Sequence, residues 1–360
     1  MEASARQGDE GFDRPRIAIS MGDPLGIGPE VVAKALSDPE IRRMARFVVH
    51  GMAGPMHAAA ELAGIEANWW RVQHDSPLVE TSQRHDVVVL DSDASEVAAA
   101  VEDGPDRARP TRAGGEASFQ FVERAIADAK RPEGDPRRVD AIVTAPISKQ
   151  SWAMAGRGKY AGHTELLTTR FGVKRSAMMF VAPQMKVILA TVHIPLMDLR
   201  NALTIGRVFD PIDLGNDACI AMGIERPRIA VCGVNPHAGE GGLFGDEETR
   251  LIEPAIRMAV DAGIDASGPY PADTVFNAAL ARKFDLVVAM YHDQGLIPVK
   301  LLARDEAVNM TVGLPVVRTS PDHGTAFDIA GKNLADPGSM KAAIALAAKM
   351  ASVRAPVRNR

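Results

Sequence analysis

Six short runs, apolar at consecutive rather than alternate positions, constrain the fold of this chain most. They are RIAISM (Arg16–Met21), DVVVL (Asp86–Leu90), DAIVT (Asp140–Thr144), KVILATVH (Lys186–His193), RIAVCGV (Arg228–Val234) and DLVVAMYH (Asp285–His292). A strand that is apolar on both faces has to be covered on both. The cover is available, because helical patterns fall between the runs at Pro29–Leu36, Ala117–Ala129, Pro211–Met222, Glu248–Ala262 and Ser339–Ala351. Pro29 and Pro211 are placed for a first helical turn, where the missing N–H costs nothing. Strands alternating with helices predict an α/β fold with a largely parallel sheet. Two polar stretches rich in Pro, Gly and Arg, Glu102–Gly115 and Arg131–Arg138, bracket one helix and read as crossings between two lobes.

Length and charge narrow the function. At about 150 residues per domain, 360 residues make about two domains. A formal net charge of -5 argues against a nucleic-acid partner, which would call for a basic face, but leaves room for a local basic pocket. The two cysteines, Cys219 and Cys232, have neither zinc-site nor disulfide-framework spacing, so a reduced, cytoplasmic setting is expected. No stretch approaches the ~18 apolar residues of a membrane span, and no membrane association is expected. The polar opening, residues 1–15, lacks an apolar signal core and reads as a disordered tail.

The polar residues of interest follow the buried runs. In open α/β sheets the ligand crevice lies beyond the carboxyl ends of the strands. His193, His237 and His292 each come directly after one such run. Taken singly, each serves equally well as a hydrogen-bonded structural histidine. Three imidazoles meeting at one point would make an open site for one divalent metal, zinc or cobalt, or manganese or magnesium with carboxylate help. Asp273 in GPYPADT and Asp293 beside His292 are the carboxylates at hand. In GHTE, His163 and Thr164 supply donors at a helix start, with Thr164 a credible cap; a helix start is also an anion site. Lys300, Asn309 and Arg318 sit in or beside apolar segments, and a guanidinium next to a buried strand calls for an anion such as phosphate. MGDPLGIGPEV opens a helix after a strand, yet Val31 stands where the dinucleotide fingerprint needs a small residue.

With these motifs in order, the sequence resembles the PdxA family of 4-hydroxythreonine-4-phosphate dehydrogenases. The resemblance is carried by MGDPLGIGPE, TAPISK, GHTE, TVHIPL, NPHAGEGGLFG, GPYPADT, AMYHDQG, NMTVGLPVVRTS and PDHGTAFDIAGK, in the family's order from Ile17 to about Met350. It implies an isocitrate/isopropylmalate dehydrogenase-like fold of two lobes with a cleft between them. The NAD-side lobe would comprise residues 16–130 and 300–360, and the metal and dimer side residues 139–299. It implies NAD, one divalent metal per site, and a homodimer whose active sites are shared between subunits. The implied metal ligands are His193, His237 and His292. The implied substrate-binding positions are His163, Thr164, Lys300, Asn309 and Arg318. His323, Gly324 and Asp328 fall on the implied cofactor loop, with Asp328 at the ribose hydroxyls. The general base is open among Asp273, Asp293 and Lys300.

The activity implied is oxidation of 4-phosphooxy-L-threonine at C3, then decarboxylation to 3-amino-2-oxopropyl phosphate, in pyridoxal phosphate biosynthesis. Two departures stand out: Leu25 replaces the family's usual alanine, and LLARDEAV replaces a Phe/Gly-rich stretch beside the substrate positions. Relatives that oxidise D-threonate or D-erythronate 4-phosphate are the alternative. A branch acting on aromatic dihydrodiols loses GHTE and the arginine of RTS, both of which this chain keeps. From the residues alone, a metal-dependent hydrolase of a phosphorylated metabolite and a non-catalytic metabolite sensor are the rival readings.

Overall fold

The computed structural model describes residues 14–92, 109–303 and 306–353. The tail expected at 1–15 therefore lies almost wholly outside the described residues, as does the first half, 102–108, of the crossing expected at Glu102–Gly115. Twelve strands form one sheet: β1 Arg16–Ser20, β2 Arg46–Gly51, β3 Trp70–Gln73, β4 Val87–Asp91, β5 Ala141–Thr144, β6 Ala177–Val181, β7 Lys186–Leu189, β8 Ile229–Cys232, β9 Ala266–Tyr270, β10 Leu286–Ala289, β11 Val308–Val312 and β12 Val317–Pro321. Their spatial order is β3-β4-β2-β1-β5-β12-β11-β6-β7-β10-β8-β9.

The six consecutively apolar runs all form strands, each ending before or within a residue of the predicted end. They lie in two parallel blocks, β3 to β12 and β7 to β9 in the spatial order, and their central residues are fully buried. The blocks meet through three antiparallel pairings, β12 with β11, β11 with β6 and β6 with β7. Strand direction therefore reverses in mid-sheet.

Helices cover both faces. One core gathers Ile17, Ile19, Val31, Phe47, Val49 and Ile344, and another Met179, Ile188, Val208, Ile212, Val231 and Val288. Each such aliphatic side chain stabilises the fold by roughly 1.5–3 kcal/mol on burial. A smaller cluster of Phe119, Ile142, Trp152, Tyr160, Leu166 and Leu167 packs beneath the reversal. Among the described residues, no helix is long and apolar enough to cross a membrane.

Three local expectations are corrected. The helix expected from Ala117 begins at Arg112, with the Thr111 hydroxyl accepting from the Gly114 N–H at 3.0 Å. Its glycines allow close packing and do not break the helix: a Cβ on Gly115 would lie 2.0 Å from the Ser151 carbonyl oxygen. Pro211 sits inside the helix Ile205–Ala221, not at its start, because Thr204 caps that helix seven residues earlier. Thr164 is not a cap either; the helix His163–Phe171 starts from Gly162, and the Thr164 hydroxyl lies 3.3 Å from that of Thr311.

Gly115→Ala should lower the thermal unfolding midpoint, since the new methyl meets backbone; overpacking of this kind costs about 1–3 kcal/mol. Gly54→Ala, where a Cβ meets nothing within 4 Å, should leave the midpoint unchanged or raise it. Equal midpoints for both variants in calorimetry would show that the helix contact at Gly115 is loose.

Candidate active site

Where strand direction reverses, alternate residues of four adjacent strands point to one face. Register places Arg318 of β12 opposite Ile142 of β5 and Thr311 of β11, and Thr311 opposite Met178 of β6. Thr144, Asn309 and Ser320 lie two residues along these strands and share that face by the period-two rule. Thr144, Met178, Asn309, Arg318 and Ser320 all line a cleft of about 440 Å³. Its walls are the turn before the helix Lys149–Met154, the GHTE turn, Lys300 on the helix His292–Ala303, and Asp322–Gly324 after β12. His193, four residues beyond the end of β7, reaches the same cleft.

The electrostatics are those of an anion site. Arg318 is 2% exposed; it donates to the Thr311 hydroxyl at 3.0 Å and the Thr144 hydroxyl at 2.6 Å. Among the described residues, no carboxylate comes within ion-pair distance of it. Burial pulls its pKa down to about 10, with the field of Glu165 opposing. The His163 imidazole is held well below its ordinary pKa, first by burial and then by the charges of Arg318 and Lys149. His163 Nε2, Asn309 Oδ1 and Arg318 Nε are buried without a hydrogen-bond partner. Buried polar atoms left open in this way cost free energy unless a ligand completes them. Lys300, by contrast, is 3.1 Å from Asp322, whose pKa burial raises against the pull of Lys300.

Of the residues singled out in the sequence, His163, Thr164, His193, Lys300, Asn309, Arg318, His323 and Gly324 meet in this cleft. His292 stands beside it, its ring centroid 5.9 Å from that of His193, and its Nδ1 is 2.7 Å from Asp293. Asp293 itself is mostly exposed, as is Asp273 in the first turn of the helix Ala272–Leu280; neither lines the cleft. Asp328 lies on an exposed turn whose carbonyl accepts from Lys332 Nζ at 2.7 Å.

His237 sits in an unusual segment: His237, Ala238, Gly239, Glu240, Gly241 and Gly242 all have positive φ. A left-handed conformation costs a non-glycine residue about 1–2 kcal/mol. Buried Glu248 clamps the base of the turn, accepting from the N–H groups of Val234 and Asn235 and from the Asn235 amide, each at 2.8 Å. Among the described residues of one chain, no three His, Cys, Asp or Glu side chains are grouped to hold a metal ion.

A second hollow, of about 430 Å³, lies beside the first glycine-rich turn. Leu25, Gly26, Glu30, Glu61, Leu62, Ala330 and Gly331 line it. Glu30 is 3% exposed: one oxygen accepts from Lys34 Nζ and the Ala335 N–H, while Oε2 is buried and unpartnered. The segment from His323 to Gly331 borders the cleft at one end and this hollow at the other.

Sequence reasoning missed Thr144, Thr311, Lys149, Glu165 and Asp322. Their signals were present in TAPISK for Thr144 and Lys149 and in NMTVG for Thr311, while Glu165 of GHTE and Asp322 of PDHG flank residues already chosen.

The family model described as pyridoxal phosphate biosynthetic protein PdxA matches residues 43–347. The chain is 44% identical to a 4-hydroxythreonine-4-phosphate dehydrogenase of Geobacter metallireducens, over 95% of this chain and 97% of that one. It is 42% identical to a D-threonate 4-phosphate dehydrogenase of Cupriavidus necator, over 95% and 98%. A crystal structure of 4-hydroxythreonine-4-phosphate dehydrogenase from Klebsiella pneumoniae superposes with a TM-score of 0.80 at 40% identity, covering 94% of this chain and 98% of that one. Matched by the family model over most of its length and by relatives over nearly all of it, this chain belongs to the PdxA family of dehydrogenases.

Proposed function

We propose that this chain oxidises 4-hydroxythreonine 4-phosphate with NAD and a divalent metal, with decarboxylation to 3-amino-2-oxopropyl phosphate. The observation that carries this reading is the buried, carboxylate-free Arg318 facing a cleft that eight of the expected site residues line. Arg318, held by two threonine hydroxyls, grips the phosphate together with Thr164, Asn309 and His163. Lys300, whose charge Asp322 balances, donates hydrogen bonds near the reacting end. Asp322 lines the cleft while Asp273 and Asp293 do not, and burial raises the proton affinity of its carboxylate, which suits a proton acceptor. D-Threonate 4-phosphate is the second reading, supported by the Cupriavidus necator relative and by LLARDEAV beside Lys300.

Three imidazoles suit a divalent metal, which when bound polarises the hydroxyl being oxidised. The neighbouring His193 and His292 would hold it; a single chain offers these two rings, and a homodimer with shared sites would supply His237. Exposed apolar side chains support that assembly: Met197 is 87% exposed just after His193, Leu243 73% near His237, and Leu301 81% on the helix that His292 begins. The second hollow fits the adenosine end of NAD. The open Glu30 oxygen there can accept from a sugar hydroxyl or an amino group, and two carboxylates oppose the additional phosphate of NADP. The two-lobe division given above belongs to the same reading.

A panel of four-carbon acid phosphates, scored by NADH formation with several divalent metals, tests the reaction class; phosphate release without NADH would favour a hydrolase. On the preferred substrate, Arg318→Met should raise KM about 10- to 100-fold, the size of a lost charge-assisted contact, and leave the KM for NAD nearly unchanged. Equal changes in both constants would make Arg318 structural. His237→Ala protein should lose its metal on dialysis and its turnover while remaining dimeric; unchanged metal content would remove His237 from the ligand set.

A bound anion stabilises protonated His163, whose free-state pKa is depressed, so binding takes up a proton. Affinity for sulfate, whose own charge is constant, should therefore rise as pH falls from 8 to 6, and less steeply in His163→Asn. Identical slopes for the two proteins in calorimetric titrations would place the proton uptake elsewhere.

A further inference from the structure

The cleft holds one cation that the assignments above do not use. Lys149 opens the helix Lys149–Met154, whose N-cap Ser148 accepts from the Ser151 N–H at 3.0 Å. The helix is anchored by Trp152, which is fully buried, donates to the Ser118 hydroxyl at 3.0 Å and meets the His163 ring edge-on at 5.7 Å. Lys149 thus projects into the cleft from a fixed base.

Its position relative to the other charges is specific. It lines the cleft together with Arg318 and His163 of the anion-gripping wall and with His193 of the histidine pair. Lys149 Cε and Glu165 Oε2 flank Gly162, lying 3.8 and 3.6 Å from where a Cβ on that glycine would be. The absence of a side chain at Gly162 keeps that space open. Among the described residues, no carboxylate reaches ion-pair distance of the Lys149 ammonium, whereas Lys300 has Asp322. The cleft therefore carries two uncompensated cations on different walls, Arg318 buried and Lys149 exposed.

We propose that Lys149 binds the carboxylate end of the substrate, with the phosphate held by Arg318 and His163. This rests on the reading of the cleft as the site for a four-carbon acid phosphate, a molecule with one anionic group at each end. A single tetrahedral anion needs only the Arg318 wall; a substrate with two anionic ends spans to Lys149. The lysine then fixes which end of the carbon chain faces the histidine pair.

The test compares a one-anion probe with the full substrate. In Lys149→Met, KM for the preferred acid phosphate should rise about 10- to 100-fold, while sulfate affinity, followed by tryptophan fluorescence, should change less than about twofold because sulfate engages only the Arg318 wall. Lys149→Arg should recover most of the loss, which a merely structural role at the helix start would not require. An unchanged substrate KM in Lys149→Met, with wild-type enzyme active, would overturn the assignment of Lys149 alone. So would an equal loss of sulfate and substrate affinity. If the wild-type enzyme turns over no member of the panel, the dehydrogenase reading itself falls, and the role of Lys149 with it.

Discussion

A guanidinium buried without a counter-charge is the constraint on which the rest of the cleft depends. Removing a cation from water is expensive, and two threonine hydroxyls return only part of that cost. Arg318 is tolerable because its neighbours are arranged around it: Thr311 directly across the strand pair, Thr144 on the adjoining strand, and Glu165 contributing at a distance. The remaining imbalance can be relieved by an anion entering the cleft. The reversal of strand direction makes this arrangement available, because antiparallel neighbours bring Arg318 and Thr311 into direct register.

The left-handed turn around His237 is the counterpart on the other half of the sheet. Six successive positive φ values would not persist in an isolated peptide containing His, Ala and Glu. They persist because Glu248 collects three hydrogen bonds at the entrance to the turn. The free energy for holding one imidazole in an unfavourable backbone conformation thus comes from a carboxylate eleven residues away in sequence, on the segment leading into the next helix.

What was legible in the sequence follows the physics of burial. Strands sealed on both faces tend to be unbroken apolar runs, and the six runs read in the sequence all form strands, although β2 (RFVVHG) and β6 (AMMFV), similarly buried, were not read. Two of the four strands that build the cleft, β11 and β12, were missed for a different reason. VNMTV alternates apolar residues with Asn309 and Thr311, and VRTSP is polar at three successive positions, Arg318 to Ser320, so neither is an unbroken apolar run. Function erased the pattern that would have revealed the structure. The same conflict hid the start of the helix Arg112–Ala129, where glycines needed for close packing resemble a break. The individual site residues were easier, because Lys300, Asn309 and Arg318 each look out of place beside apolar neighbours, and His163 stands in a glycine-initiated turn at a helix start. Which residues come together in a single chain was not readable: spacing along the polypeptide does not say that His237 stands on a turn of its own.

The strip of backbone from His323 to Gly331 runs between the two cavities. One end edges the cleft and the other edges the second hollow, and its middle is pinned where the Ile27 N–H donates to the Thr325 carbonyl at 3.0 Å. One continuous piece of backbone thus supplies part of the wall of both cavities, and its path sets how far apart their occupants lie.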